Sequence, residues 1–168
     1  RVCTTVANPQ LATPATRTGF NAAIRHQTPA FEWEIGLDAR RLEGRAEEYY
    51  RYMNGQPTRF RVAGGVSELF GLYAQMTRIS GPWTVTGAIR GESWRSFDGQ
   101  RIETDLASSQ NLPISPPNST KTAPFSARFG TVYALSGDIN LRFAAYNGFR
   151  PPSLNELYRP FRVGNDVT

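Results

Sequence analysis

Few residues in this chain could support catalysis, whereas two short clusters could support binding. His26 is the single histidine and Cys3 the single cysteine. A nucleophile with a histidine base, or a His/Glu/Cys set spaced to hold a metal, is therefore not evident. Aromatic rings stand beside arginines at 49–52 (YYRY) and at 94–95 (WR), and this combination can stack on or neutralise an anionic small molecule. The sequence predicts no enzyme, no metal site and no cofactor.

The charge balance does not favour a nucleic-acid partner. A formal net charge of +5 would permit one. Proteins that bind nucleic acids, however, usually gather Lys and Arg on one face or one helix. Here acids and bases alternate along the chain, as in 32–40 and 90–95. We expect a mixed-sign polar surface and no bound nucleic acid.

In several stretches of the chain, apolar and polar residues alternate with a period of two. In 31–40 (FEWEIGLDAR) every odd-numbered residue is apolar and every even-numbered one is glycine or charged, so a strand would have one apolar and one polar face. The same alternation recurs in five other stretches: 18–26, 70–78, 83–92, 125–133 and 139–149. The charged residues expected on the polar face are Glu32, Glu34, Asp38, Arg40, Arg90, Arg128 and Arg142. We predict six strands.

The connections between these strands alternate in length. Short turns are expected at 26–30, 80–82 and 136–138, and long polar links at 42–61 and 97–123. Such long structureless links are uncommon in compact soluble domains, whereas outer-membrane barrels have short periplasmic turns and longer external loops. No leader and no run of about 18 apolar residues occurs, but a spanning strand needs only about 10 alternating residues. The pattern favours an all-β, antiparallel up-and-down segment of a transmembrane β-barrel.

Aromatic residues lie next to the short turns in the apolar register. Phe31 and Trp33 follow the first turn, Trp83 follows the second, and Tyr133 precedes the third. Amphipathic rings at these positions would form an aromatic girdle at one membrane interface. Trp and Tyr are also common in ordinary strands, so position alone does not decide this assignment.

The stretch 143–158 (FAAYNGFRPPSLNELY) carries a family resemblance. It resembles the segment of TonB-dependent outer-membrane receptors in which a strand ends in glycine, an aromatic residue, Arg and Pro, followed by Glu-Leu-Tyr. The resemblance implies a barrel of about 22 strands with a plugged lumen, of which 1–168 would be a partial barrel domain without the plug and the remaining strands. The structural residues of the motif are Gly148, Phe149, Arg150, Pro151, Pro152, Glu156, Leu157 and Tyr158.

Specific structural roles follow from this resemblance. Gly148 would let the strand end turn, and Pro151 and Pro152 would bar its continuation. Glu156 and Tyr158 would pack or hydrogen-bond at the barrel rim. Arg150 would pair with Glu156 or face a ligand.

The resemblance also implies a function. Such a receptor imports a scarce ligand, of the siderophore-iron, cobalamin or oligosaccharide class, across the bacterial outer membrane. Its partners would be the lipid bilayer, the plug, the small-molecule ligand and, through the missing N-terminal part, the TonB system. The candidate ligand contacts, in long outer loops and above the fourth strand, are Tyr49, Tyr50, Arg51, Tyr52, Trp94 and Arg95. Exposed loop residues or interface anchors are the alternative interpretation of the same six residues.

Two other classes of protein fit parts of the pattern. A soluble β-sandwich binding module would show the same alternation, with the apolar register between two sheets. It would stay monomeric in water without detergent, whereas a barrel segment would need detergent or would associate. An outer-membrane barrel enzyme would need a histidine facing external substrate, but His26 adjoins a short turn at the opposite end.

Overall fold

A computed structural model describes residues 9–112, 118–158, 162–163 and 166–167 of the chain. Cys3 and the centre of the second long link lie outside these ranges. Within the described residues, no helix has the length and apolar character to cross a bilayer. The strands and the one short helix are β1 (Gln10–Ala12), β2 (Ala15–Gln27), β3 (Phe31–Met53), β4 (Gln56–Ser80), β5 (Trp83–Asp105), β6 (Asn111–Leu112), β7 (Thr120–Thr122), β8 (Phe125–Ala134), β9 (Asn140–Asn147), α1 (Leu154–Tyr158), β10 (Arg162–Val163) and β11 (Asp166–Val167).

The main sheet consists of six consecutive antiparallel rows of strand. β1 and β2 both pair with the same edge of β3 and form one row interrupted at 13–14. β3, β4 and β5 are the three long central rows. β6, β7 and β8 all lie along the far edge of β5, and β9 pairs with β8. The prediction of six strands in up-and-down order is therefore confirmed.

The first long link is a strand-paired hairpin and not the irregular loop expected from its polar sequence. β3 and β4 remain in register from Phe31↔Arg78 as far as Met53↔Gln56. The chain reverses at Asn54 and Gly55, whose φ angles are 50° and 77°. Positive φ at both central residues is the requirement of a type I′ hairpin turn, for which Asn-Gly is the preferred pair. The dipeptide was the sequence signal for this hairpin.

Much of the described part of the second long link is also paired. β5 continues to Asp105, and β6 and β7 return along its edge with Glu103↔Leu112 and Arg95↔Lys121 as partners. A bulge interrupts the β4–β5 ladder between Gly64 and Val66. Both long connections thus extend the sheet well beyond the stretches that alternate cleanly.

The register places the apolar residues on one face, which we name the outer face. Residues directly opposite each other in an antiparallel sheet point to the same side. One row of partners across five strands is Ile24, Ile35, Ala74, Ile89 and Ala127. The opposite side, the inner face, carries all seven charged residues predicted for it. The alternation therefore defines two chemically distinct faces, as predicted.

The predicted girdle residues lie on the outer face at the end of the sheet that carries the short turns. Trp83 and Tyr133 are direct partners across β5 and β8, with ring centroids 4.6 Å apart. Trp33 lies opposite His26 on β2, with ring centroids 6.1 Å apart. Phe31 lies two residues nearer the turn than Trp33. The four aromatic residues thus share one face and one end.

The apolar core lies farther from the short turns, in the half of the sheet formed by 40–69 and 94–112, which we name the distal half. The buried apolar residues of this half are Ala46, Tyr50, Ala63, Val66, Leu69 and Trp94. Large apolar residues nearer the turns are instead exposed, among them Ile24, Leu72 and Phe129.

Candidate functional site on the inner face

Polar side chains near the short turns lie flat against the inner face. The phenol of Tyr73 donates a hydrogen bond to Glu34 Oε1 over 2.8 Å, and Arg25 Nε donates to Glu34 Oε2 over 2.7 Å. The Tyr73 ring passes over Gly36, where an added Cβ would lie 2.6 Å from the ring. Glycine at 36 therefore lets the ring lie against the wall.

A second ion-pair group follows one step farther along the strands. Arg90 bonds Asp38 Oδ1 over 2.6 Å and Glu92 Oε1 over 2.9 Å. Its guanidinium lies against Gly71, another position where a Cβ would not fit. Gln75 accepts a hydrogen bond from Arg128 over 2.8 Å. The turn-proximal part of the inner face is thus a polar surface of largely paired charges.

The chain leaves the wall of the sheet at Asn147, the last residue of β9. Asn147 Oδ1 accepts a hydrogen bond from the backbone N–H of Ala127 over 2.8 Å, and its Nδ2 donates to the carbonyl of Phe125 over 3.1 Å. The side-chain amide therefore replaces one backbone pair of the ladder and ends the strand. Residues 148–158, which we name the strap, then cross the inner face.

Three apolar contacts hold the strap on the distal half of the sheet. Phe149 lies beside Trp94 of β5, with ring centroids 6.3 Å apart. Leu154 reaches Gly44 of β3, where an added Cβ would lie 3.3 Å from its Cδ1. Tyr158 lies on Gly65 of β4, where a Cβ would lie 2.5 Å from the ring. Two glycines of adjacent strands thus form the seat of the strap.

Tyr158 is the deepest anchor of the strap. Its side chain is 3% exposed, and its hydroxyl hydrogen-bonds the Ser96 hydroxyl. Trp94, which is 2% exposed, donates from its indole nitrogen to Ser67 Oγ over 2.9 Å. The polar atom of each buried ring therefore forms a hydrogen bond with a serine hydroxyl of the inner face.

The Arg150–Glu156 ion pair closes the strap on itself. Arg150 donates two hydrogen bonds to Glu156, of 3.0 and 2.8 Å. Glu156 also accepts the backbone N–H of Ser153 over 2.7 Å, while Ser153 Oγ accepts the N–H of Glu156 over 3.3 Å, a reciprocal capping box at the start of α1. Arg150, and then Ser153, lower the pKa of Glu156 to about 2. Of the two roles considered for Arg150, the structure shows the pairing with Glu156.

Another group of charges is buried in the distal half. Arg61 Nε donates to Glu48 Oε1 over 2.7 Å, and Arg61 Nη1 lies 3.7 Å from Glu103 Oε1. The guanidinium carbon of Arg61 lies 4.5 Å from the centre of the Tyr50 ring. Glu48 and Arg61 are almost fully enclosed, at 1% and 4% exposed. No sequence pattern identified this buried group.

The candidate ligand contacts do not form one cluster. Tyr49 lies on the outer face against Phe60, with ring centroids 5.4 Å apart, and Arg95 lies on the same face beside Glu68. Tyr50 and Trp94 lie on the inner face and are buried.

Two of the six candidates lie close to the hairpin end. Tyr52 is a half-buried partner of Pro57 on the inner face. Arg51 is exposed and has a φ of 57°. The structure thus places the six residues on two faces of the sheet and at different distances from the end of the β3–β4 hairpin.

The motif residues lie together on the inner face. Gly148 directly follows the strand end, and Pro151 and Pro152 are half-buried in the crossing segment. Leu157 donates its N–H to the carbonyl of Ser153. Among the side chains that the structure describes, no group of three or more His, Cys, Asp or Glu residues could hold a metal ion.

Comparison with known proteins agrees with this architecture. Residues 5–167 match the family model "TonB dependent receptor-like, beta-barrel". The ferric yersiniabactin uptake receptor FyuA of Yersinia pestis has a similar structure, with a TM-score of 0.60 and 13% sequence identity over 77% of this chain. The chain spans only 20% of that receptor chain. No curated protein matches the chain in sequence.

At 13% identity the structural likeness shows the fold alone, whereas the family model covers nearly the whole chain. The two-faced sheet and the short turns at one end are features of the wall of a transmembrane β-barrel. The chain belongs to the TonB-dependent receptor-like β-barrel family and forms an unclosed segment of its barrel.

Proposed function

We propose that this chain is part of the wall of an outer-membrane receptor that takes up a scarce small molecule with energy supplied through TonB. The observation that carries this proposal is the separation of the two faces near the short turns. Large apolar side chains are exposed on the outer face, while ion pairs occupy the inner one. That distribution suits lipid outside and a watery, plugged lumen inside.

The sheet needs further strands to make such a wall. Within the described residues, the free edges of β2 and β9 have no neighbouring strand in the main sheet. Exposed edges are avoided in barrels by closure. We therefore propose that residues 1–168 are a partial barrel domain and that other segments of the same receptor supply the remaining strands and the plug.

An iron chelate is the ligand class that we favour over cobalamin or an oligosaccharide. The similar receptor from Yersinia pestis is described as a ferric yersiniabactin uptake receptor. The inner face also carries exposed arginines, such as Arg40 and Arg142, which would favour an anionic chelate. The proposed binding residues are Arg51 and Tyr52, because both lie near the hairpin end and neither is enclosed.

Uptake by the intact receptor tests this function. A bacterium that lacks the receptor, complemented with the full-length protein, should accumulate radioactive iron from at least one ferric chelate of a panel only when TonB is present. Replacing Arg51 and Tyr52 with Ala should weaken chelate binding, whereas Arg45→Ala, on the outer face of the same hairpin, should not. Iron uptake that is unchanged by loss of the receptor or of TonB would contradict an iron-transport role.

Extraction behaviour separates the membrane proposal from a soluble β-sandwich. The full-length protein should remain in the outer-membrane fraction and require detergent for release. A protein released as a monomer by buffer alone would favour the soluble binding module. An enzyme remains the weaker alternative, because His26 lies beside Trp33 on the outer face near the short turns.

A further inference from the structure

A row of charged side chains crosses the outer face just beyond its apolar band. Arg41, Glu68, Arg95 and Lys121 are consecutive partners across four strands. The preceding row on the same face is Phe20, Ala39, Phe70 and Ser93. We name the four charged residues the outer charged row. Three of the four residues of that preceding row are apolar, so the outer face changes from mainly apolar to charged over two residues of each strand.

The outer charged row has an excess of positive charge. Glu68 accepts hydrogen bonds of 2.7 Å from both Arg41 and Arg95, and it is the only acid among three bases in the row. Glu43, one step farther from the band, lies 3.5 Å from Arg41. The side chains of Arg41 and Arg95 are still 47% and 59% exposed. Because each guanidinium has five N–H donors, several remain directed to the surroundings.

Phe97 holds the two arginines at a fixed spacing. Its ring centre lies 5.6 Å from the guanidinium carbon of Arg41 and 4.9 Å from that of Arg95. The ring therefore packs against both cations on the outer face. Lys121 is exposed beside Arg95. The result is an ordered group of cationic donors on a wall.

The height of the row matches the headgroup region of a bilayer. From Phe31 to Arg41, and from Trp83 to Arg95, there are about 10 to 12 residues, or about 33 to 40 Å of strand. With the tilt of about 40° usual in such barrels, this corresponds to about 25 to 30 Å of height. The lipid-facing apolar band of an outer-membrane barrel is about 25 Å tall. The aromatic end row and the outer charged row would thus lie at the two opposite interfaces.

We propose that the outer charged row binds the anionic phosphate headgroup of a membrane lipid, with Arg41, Arg95 and Lys121 as donors. The inference rests on the proposed placement of this wall in a membrane. Arginine and lysine at headgroup level attract anionic lipids, and a guanidinium can bind two phosphate oxygens at once. Glu68 orients the two arginines and is not a ligand.

Lipid binding by the full-length protein in detergent tests the proposal. Native mass spectrometry would compare bound phosphatidylglycerol with bound phosphatidylcholine for three proteins. These are the wild type, an outer-row variant (Arg41→Gln, Arg95→Gln, Lys121→Gln) and an inner-face control with the same loss of charge (Arg17→Gln, Arg40→Gln, Arg142→Gln). Circular dichroism and heat-modifiable gel mobility would establish that each barrel is folded.

We expect the wild type and the inner-face control to prefer phosphatidylglycerol, and the outer-row variant to lose about tenfold or more of that affinity. Equal loss in both variants, or no lipid preference in the wild type, would overturn the proposal. Displacement of bound phosphatidylglycerol by millimolar inorganic phosphate would also overturn the proposal, because it would indicate a general anion site. Failure of the protein to fractionate with membranes would instead contradict the proposed function itself.

Discussion

Large apolar side chains next to the short turns are exposed on the outer face, whereas several in the distal half are buried on the inner face. Ile24, Leu72 and Phe129 are exposed in the first, whereas Leu69 and Trp94 are buried in the second. The difference teaches that the same long strands can be built for lipid near the short turns and for water in the distal half. Where lipid covers the outer face, hydrocarbon can point outward. Where no lipid covers the sheet, large apolar side chains must be buried within the protein. The strap helps to bury those of the distal half.

We expect the largest effect on stability from a cation introduced on the outer face of the turn-proximal half, and little effect from one on its inner face. Leu37→Arg should destabilise the folded receptor by about 2 to 4 kcal/mol, because Leu37 is on the outer face about half-way up the apolar band. The control is Asn21→Arg on the inner face at almost the same height, where the new cation would lie opposite Asp38. It should change stability by less than about 0.5 kcal/mol. Urea unfolding from lipid vesicles would measure both.

Similar losses for the two arginine variants would mean that the outer face does not touch lipid. Greater loss for Asn21→Arg would reverse the assignment of the faces.

The second effect concerns the seat of the strap in the distal half. Gly65→Ala should destabilise the receptor by about 2 to 3 kcal/mol, because the methyl group would lie 2.5 Å from the Tyr158 ring and displace a fully buried aromatic side chain. Gly87→Ala is the matched control, since a Cβ there meets no atom within 4 Å. Chemical unfolding, together with hydrogen exchange of 148–158, would measure the difference. A strap that stays protected in Gly65→Ala would disprove its proposed seat.

A smaller effect tests the polar anchor of the same ring. Tyr158→Phe should cost about 1 kcal/mol, because it removes a buried hydrogen bond with the Ser96 hydroxyl while keeping the ring. Ser96→Ala should show a similar loss, and the double variant should lose little more than either single variant. Strict additivity in this cycle would indicate that the two hydroxyls do not interact.

These comparisons also show which features the sequence could predict. The alternation in 31–40 predicted the two faces, and the Gly-Phe-Arg-Pro-Pro motif predicted where β9 ends. The extent of the strands was missed, because in 42–53 most of the charged residues are on the outer face, which reverses the pattern of 31–40, and Glu48 interrupts the alternation. Asn54-Gly55 was the available signal for the hairpin.

The seat of the strap could not be predicted from sequence. Gly44 and Gly65 become neighbours only through the β3–β4 register, and Tyr158 reaches Gly65 from 93 residues farther along the chain. The buried group of Glu48, Arg61 and Glu103 likewise depends on three strands in register. Long-range packing of this kind leaves no periodic signal in the chain.

The smallest expected effect is the response of the strap to acid. The pKa of Glu156 is lowered from 4.5 to about 2 by Arg150 and Ser153, so its carboxylate stabilises the folded strap above about pH 4.5. That contribution should decline as the pH falls from about 4.5 towards 2. Hydrogen exchange of 153–158, corrected for the intrinsic pH dependence of exchange, would measure it. Glu156→Gln is the control and should remove this part of the response, and an unchanged response in that variant would assign it to other carboxylates.

Accessibility along β3 is the most direct test of the central claim that the outer face of the turn-proximal half touches lipid. Single spin labels at successive positions from Trp33 to Glu43, in the full-length receptor in vesicles, would be relaxed by oxygen, which concentrates in lipid, or by a water-soluble nickel complex. We predict preferential relaxation by oxygen at odd positions as far as Ala39, with the preference ending at Arg41. Labels at odd positions shielded from both agents, or relaxed mainly by the nickel complex, would contradict the account.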